Sequence, residues 1–312
     1  MKTFNLLYTF CAAAALSFTA CDDSSEYGSC SVKGEDEIYL GQSGISWVAE
    51  WTGPYELNPK VSLTWYINGE EYDNNRLKIK IYPKESGTYK AKLKIGGDIT
   101  IKCEDKIKVK EPPKLKIETE KKAVDLGLPS GTKWANMNVG AKDNSAFGDH
   151  FAWGSVKPEN GPGKINMDIS GNVEYDAAMA NWGDKWKMPT ENQLKELGSN
   201  CTWIRKTFND IDGYQVIGPN GKSIFLPAAG SGKDGCGENF CGLLIGYYWS
   251  STPARYVGNN ALKVYVNSDK PNAKYDSERA SYLWLGTTEG FPNAFGADYH
   301  KYQKSVRPVL AE

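Results

Sequence analysis

Histidine is almost missing from this chain: His150 and His300 are the only two in 312 residues. Two imidazoles cannot make a histidine-rich metal cage, and neither lies in an HExxH zinc motif. A Ser-His-Asp triad would have to use one of the two. The nucleophile elbow is absent as well, because Gly230-Ser231-Gly232 has the wrong spacing. Gly218 lies too close to Gly221-Lys222-Ser223 for a phosphate-cradling P-loop. Charge of one sign is also lacking, with 37 basic against 38 acidic residues and a net charge of -1. Without a basic excess, a nucleic-acid partner is not expected. Beyond the N-terminus no run approaches the roughly 18 apolar residues of a bilayer span. Together these absences argue against an enzyme.

What is present is globular: 40% hydrophobic residues, with 10 Trp and 18 Tyr. Frequent glycine and aromatics favour a mostly β, loop-rich architecture with some helix. At the N-terminus Lys2 precedes an apolar stretch, Phe4 to Leu16, too short to cross a bilayer as a stable helix. It ends in Phe18-Thr19-Ala20-Cys21, which resembles the lipobox of bacterial lipoproteins. The resemblance implies a signal peptide over 1–20 and lipidation at Cys21. Residues 21–29 then form an acidic tether, and Asp22-Asp23-Ser24-Ser25-Glu26 resembles the export signal of Bacteroidota surface lipoproteins. The location implied is the outer membrane, with the chain facing outward.

Seven cysteines follow from that compartment. Cys11 leaves with the signal and Cys21 takes lipid. Five remain outside the reducing cytosol, where disulfides persist, and an odd number leaves at least one free.

Residues 30–110 read as a β-sandwich. Leu63, Trp65 and Ile67 alternate with polar residues and lead into Asn68-Gly69, a strong hairpin signal. Leu77, Ile79 and Ile81 alternate with lysines, and so do Ala91, Leu93 and Ile95. The alternating lysines read as a solvated face. "LTWYINGEE" and "SGTYKAKL" resemble bacterial immunoglobulin-like or PKD-like modules. Cys30 and Cys103 both point inward by strand parity, so a bridge between them is expected.

Glu111-Pro112-Pro113 marks a linker over 111–122, with room for one more strand at Leu115 and Ile117. The second domain, 123–312, holds 23 of the 32 glycines, which favours long loops. Its segment "WKMPTENQL", Trp186 to Leu194, contains Thr190 and Gln193 three residues apart. That spacing predicts a capping box opening a helix, with Leu194 and Leu197 on one face and Gly198 as the stop. Asp176 is the expected cap of a second short helix closed by Gly183.

The second domain carries, in order, "VDLGLPSGTKWANMNVGA", "GDHFAWGSVKP", "YDAAMANWGDKWKMPT", "NCTW", "GYQVIGPNGKSIFLPAAG", "YYWSST" and "SVRPV". This series resembles the Fibrobacter succinogenes major paralogous domain family. The resemblance implies a C-type-lectin-like α+β fold, with two helices, a twisted antiparallel sheet and long loops, and it implies no particular activity. Ser231 to Gly246 departs from the family with a Cys-x4-Cys loop, "CGENFC". Formylglycine-generating enzymes, which share the broad fold, use two cysteines at that spacing to bind copper. Here the surroundings do not match, so Cys236 and Cys241 are expected as a loop disulfide and Cys201 as the free thiol.

No cofactor or metal is expected. Binding residues are sought on loops held by the rigid sheet. Asp234, Glu238 and Asn239 in the cysteine loop could offer oxygens to calcium, as could Asp276 and Glu278. Tyr256, Asn259 and Asn260 form a second group. Trp284, Phe291, Asn293, Phe295 and Asp298 form a third. Aromatic faces with polar neighbours suit sugars or protein surfaces. The expectation is a surface-anchored, non-catalytic adhesion or binding module for extracellular glycan or protein. The alternatives are a purely structural surface protein and a copper-dependent oxygen-using enzyme.

Overall fold

The computed structural model describes residues 29–42, 44–52, 62–96, 101–159, 161, 163–230, 245–259, 262–266, 272–286 and 294–310. The fold is mostly β, with several sheets and two helices. The chain divides into two compact units. One runs through Ile38 and resumes over Gly44–Lys110, and the other comprises Tyr39–Ser43 and Glu111–Glu312.

The first unit contains β1 (Ser29–Lys33), β2 (Glu37–Tyr39), β3 (Ile45–Thr52), β4 (Ser62–Ile67), β5 (Glu70–Asn74), β6 (Lys78–Ile81), β7 (Gly87–Gly96) and β8 (Ile101–Lys110). They make a three-stranded sheet, β1-β3-β6, and a five-stranded sheet, β2-β8-β7-β4-β5. Period-two alternation turns Ile79, Ile81, Ala91, Leu93 and Ile95 inward. Leu77 departs from the expected pattern: it precedes β6 and is 40% exposed. The β4–β5 hairpin turns at Asn68 (φ 51°) and Gly69 (φ 93°), two successive positive φ values that suit Asn-Gly.

Among the described residues, a disulfide and side-chain hydrogen bonds, including that from Tyr72 OH on β5 to Lys80 O on β6 at 3.1 Å, join the facing sheets of this sandwich. Cys30 on β1 is bridged to Cys103 on β8, with Cα atoms 5.8 Å apart. Trp47 on β3, fully buried, donates from Nε1 to Asp105 on β8 at 3.1 Å.

The second unit contains β9 (Ala123–Asp125), β10 (Lys133–Ala135), β11 (His150–Ala152), α1 (Ala177–Trp182), β12 (Trp186–Lys187), α2 (Glu191–Asn200), β13 (Thr202–Phe208), β14 (Ile211–Ile217), β15 (Ser223–Pro227), β16 (Gly246–Asn259), β17 (Leu262–Val266), β18 (Lys274–Leu285), β19 (Ala294–Tyr299), β20 (Gln303–Ser305) and β21 (Val309–Leu310). The largest sheet orders them β11-β20-β16-β18-β19, with β17 on β16. A four-stranded sheet runs β12-β21-β10-β9, and β13-β14-β15 is a meander.

Strand β16 separates two cores. Tyr248 packs with Leu126, Trp134, Leu194 and Leu197 on one side. Its neighbour Trp249 packs with Phe151, Trp153, Ala177 and Met188 on the other. Each helix therefore caps a different core. Their ends follow local rules. Thr190 accepts from Gln193 N while the Gln193 side chain accepts from Thr190 N, a capping box. The helix passes Gly198, the predicted stop, and ends at Asn200 with Cys201 as its cap. Asp176 caps α1 through Oδ1 and also accepts from Gly171 and Met188 through Oδ2.

Residues 111–122, expected as a linker with room for a strand at Leu115 and Ile117, form no strand and are strapped to the second unit. Asn144 accepts from Glu118 N and donates to Lys116 O. Asn136 accepts from Lys122 N and donates to Glu120 O. Gln215 donates to Pro113 O at 2.7 Å. Amide side chains here supply what a neighbouring strand would otherwise supply.

The Cys30–Cys103 bridge closes a span of 73 residues. On the chain-entropy account such a loop contributes about 4 kcal/mol. The double variant Cys30→Ala/Cys103→Ala should therefore lose roughly that much stability in the first unit. Urea unfolding followed by tryptophan fluorescence checks it, and reductant should reproduce the effect in the wild type.

Candidate functional site

The pairing of β16 with β18 shifts register twice, between Trp249 and Pro253 and between Pro253 and Arg255, and the second shift is the larger on β18. Pro253 on β16 pairs with Ala280 on β18, but Arg255 pairs with Tyr275. Residues 276–279 thus face Ala254 alone, a large bulge of the kind that re-aims side chains. Two backbone bonds hold it: Ile165 N donates to Ser277 O, and His300 N donates to Glu278 O.

The bulge presents Asp276, Glu278 and Arg279 beside the tyrosines of β17 and β19. Asp276, 2% exposed, accepts from Lys263 Nζ at 2.8 Å, from Tyr265 OH at 2.7 Å and from Glu278 N at 2.9 Å. Burial alone would raise its pKa. The hydrogen bonds, led by that from Lys263, outweigh burial and hold the carboxyl below its ordinary value. Tyr265 is raised by burial and by the same carboxylate, so it stays a neutral phenol. Glu278 is held low by the hydrogen bond from Lys164.

Aromatic rings and cations alternate across this surface. The Arg279 guanidinium lies 3.8 Å from the Tyr299 ring centre and 5.0 Å from that of Tyr265. Lys263 Nζ lies 4.6 Å from the Tyr256 ring, and Arg255 stacks on Tyr275 at 5.2 Å. Tyr275 and Tyr299 are exposed. Each cation holds a ring in place, which fixes flat apolar faces with polar edges.

This geometry redistributes the residues expected from sequence. Tyr256 belongs to the cluster but is 8% exposed beneath Lys263, so it supports the surface instead of forming it. Asp276, expected to offer oxygens to calcium, is occupied by an ammonium and a phenol. Asp298, expected in a binding loop, is committed to Lys304 at 2.6 Å and to Tyr299 N at 2.9 Å. Trp284 is 37% exposed, but it sits eight residues along β18 from Asp276, roughly 26 Å away by strand rise. Phe295 packs against the core around Tyr248. Asn259 ends β16, and its side chain lies outside the described residues, as do Asn260, Phe291 and Asn293. Cys21, Asp234, Cys236, Glu238, Asn239 and Cys241 also lie outside them. Sequence reasoning missed Lys263, Tyr265, Arg279 and Tyr299. Alternation in "LKVYV" could have placed Lys263 and Tyr265 on one face, but nothing local signals the bulge.

Lys304 lies 2% exposed in a cage of four rings. Its Nζ is 4.5 Å from Tyr282, 4.7 Å from Trp249, 4.8 Å from Tyr247 and 5.9 Å from Tyr302. A cage able to take a ligand cation is therefore filled by the chain's own ammonium. Three residues on, Arg307 is 1% exposed and bonds to Asn138 Oδ1, Ala135 O and Phe225 O. Burial pulls its pKa down to about 10, still charged at neutral pH.

The nucleophilic and basic side chains described are subdued. Burial pushes the Cys201 thiol up to about 12. His300 is stacked on Trp153 at 4.3 Å and donates from Nδ1 to Gly163 O at 3.1 Å. Burial lowers the pKa of both His300 and His150 below 6.5.

No family model matches the chain, and no curated protein matches it. Two solved structures are similar over a limited part. The solution structure of the CARDB domain of PF1109 from Pyrococcus furiosus is 16% identical, covering 27% of this chain and 96% of that one, with a TM-score of 0.23. The crystal structure of the same domain in complex with di-metal ions is 16% identical, covering 28% and 96%, also at 0.23.

The buried ionisable groups set how stability responds to pH and to substitution. Both histidines have depressed folded pKa values, so the stability tied to their neutral form is complete above about 6.5 and is lost as pH falls through those values. Thermal stability should decline from pH 7 to pH 5. His300→Phe, which keeps a ring on Trp153, should flatten the decline in a pH series of melting curves. Lys304→Ala removes the cation from its cage and from Asp298, and should cost about 3–5 kcal/mol by urea unfolding.

Proposed function

We propose that this chain is an exported, lipid-anchored bacterial surface protein whose second unit is a non-catalytic binding module. In this reading Cys21 carries the lipid, and the second unit is of the C-type-lectin-like family it resembles. The ligand is a glycan or protein outside the cell.

One observation carries the reading: the Tyr265–Arg279–Tyr299 stack beside the Lys263–Asp276 pair, on an exposed sheet face. Rigid rings offer flat contact at low entropic cost, and the charged edges fix orientation. Energy spent on holding such rings open to solvent is expected of a recognition surface more than of a scaffold. The lipid anchor and outward location rest on the residues around Cys21 and the acidic tether.

A broad glycan array probed with the purified protein, with calcium and with chelator, tests the module. Binding to one glycan class is expected, and chelator should not abolish it, because Asp276 is already occupied. Tyr265→Ala/Tyr299→Ala should weaken binding at least tenfold, about 1.4 kcal/mol, with the fold intact. Trp284→Ala should change it less than twofold. Absence of glycan binding, or full binding by the double variant, would sink this assignment of the surface.

A further inference from the structure

The first unit carries a second surface of different chemistry. On the outer face of its five-stranded sheet, β7 presents Lys90, Lys92 and Lys94, and β8 presents Lys102, Lys106 and Lys108. The register sets Lys90 opposite Lys106 and Lys94 opposite Lys102. Like charges directly opposed across an antiparallel pair are destabilising. Only Lys92, opposite Glu104 at 2.9 Å, is ion-paired among these six. The chain as a whole is net -1, so this basic field is local and the remainder is acidic.

The face is also hollow. Strands β4, β7 and β8 line a furrow of about 930 Å³, open to solvent, with the Tyr66 ring in its wall and six lysines against three carboxylates, Asp36, Glu104 and Asp105. Tyr66 pairs in register with Lys92, placing a flat ring beside the lysine rows.

We propose that this furrow binds a linear anionic polysaccharide, bearing sulfate or carboxylate groups, along the β7 and β8 lysine rows. Lysines two residues apart on a strand are separated by roughly 7 Å, and the two rows by roughly 5 Å. That grid meets a polymer with repeating charges, not a single anion. Bound anions between the rows remove the Lys90–Lys106 and Lys94–Lys102 repulsions. A hollow furrow fits a chain better than a flat bilayer. The single ring of Tyr66 suits a sugar face, whereas single-stranded nucleic acid is held by successive stacked bases on several aromatics. The lysines, read from sequence as merely solvated, thus become a site separate from the tyrosine face of the second unit.

The test is equilibrium binding of the purified protein to fluorescent dextran sulfate, with uncharged dextran of equal length as control. Parallel arms use a single-stranded oligonucleotide and vesicles of phosphatidylcholine with phosphatidylglycerol. The variant Lys90→Gln/Lys94→Gln/Lys102→Gln/Lys106→Gln is compared with Lys78→Gln/Lys84→Gln/Lys133→Gln/Lys185→Gln, which removes equal charge elsewhere. The proposal expects at least a tenfold loss and a shallower salt dependence for the first variant, less than twofold loss for the second, and no binding of plain dextran. Because the first variant relieves like-charge pairs, its melting temperature should not fall. Equal losses in both variants, or tighter binding of the oligonucleotide or the vesicles than of dextran sulfate, would overturn it. The tyrosine variants of the second unit should leave this binding unchanged, so the two surfaces stand or fall separately.

Discussion

The buried ammonium of Lys304 is the constraint on which the second unit depends. Removing a charge from water costs several kcal/mol, and it is tolerated only when the site replaces the lost hydration. Asp298 supplies the opposite charge, and Trp249, Tyr282, Tyr247 and Tyr302 supply ring faces. Those partners come from β16, β18, β19 and the turn before β20, so one cation ties four segments together. Arg307, three residues on, does the same for β10, β15 and the loop at Asn138. The segment from Lys304 to Val309 therefore runs through the unit's interior, not over its surface. Its Val306 lies in one core and its Val309 in the other.

That interior arrangement determines what remains outside. With one aromatic cage filled by Lys304, Tyr275 and Tyr299 around the β18 bulge remain open to solvent, as do Phe147 and Trp284 elsewhere in the unit. The bulge is itself anchored from inside, since His300 donates its backbone N–H to Glu278 and stacks on Trp153. The exposed Tyr299 and Tyr275 faces are thus mounted on a packed core and held by Arg279 and Arg255. Rings held this way have little freedom left to lose, which is the property the proposed recognition would use.

Local features were legible in the sequence. The capping box at Thr190 and Gln193, the Asp176 cap and the Asn68-Gly69 hairpin each need only a few neighbouring residues, and each is present. The Cys30–Cys103 pairing was legible because strand parity places both sulfurs inward. Features set by remote partners were not. Pro112-Pro113 reads as a stiff linker, yet Asn136, Asn144 and Gln215 strap that segment down from elsewhere in the chain. Nothing within "QKSVRPV" shows that its lysine is buried among four rings. The bulge at 276–279 depends on a register mismatch with β16, and alternation along β18 alone does not show it. The candidate site was accordingly half legible: Tyr256, Asp276 and Glu278 were named, while Lys263, Tyr265, Arg279 and Tyr299 were not.

The caged lysine can be observed directly. Carbon–proton correlation spectra of protein labelled at the lysine ε-methylenes report ring currents at each ammonium. The account predicts one ε-methylene moved far upfield by stacked ring faces, absent in Lys304→Met and unmoved when any ligand is added. If every lysine ε-methylene resonates at its solvent position, the cage is not filled by Lys304. The organisation of the second unit described above would then be contradicted.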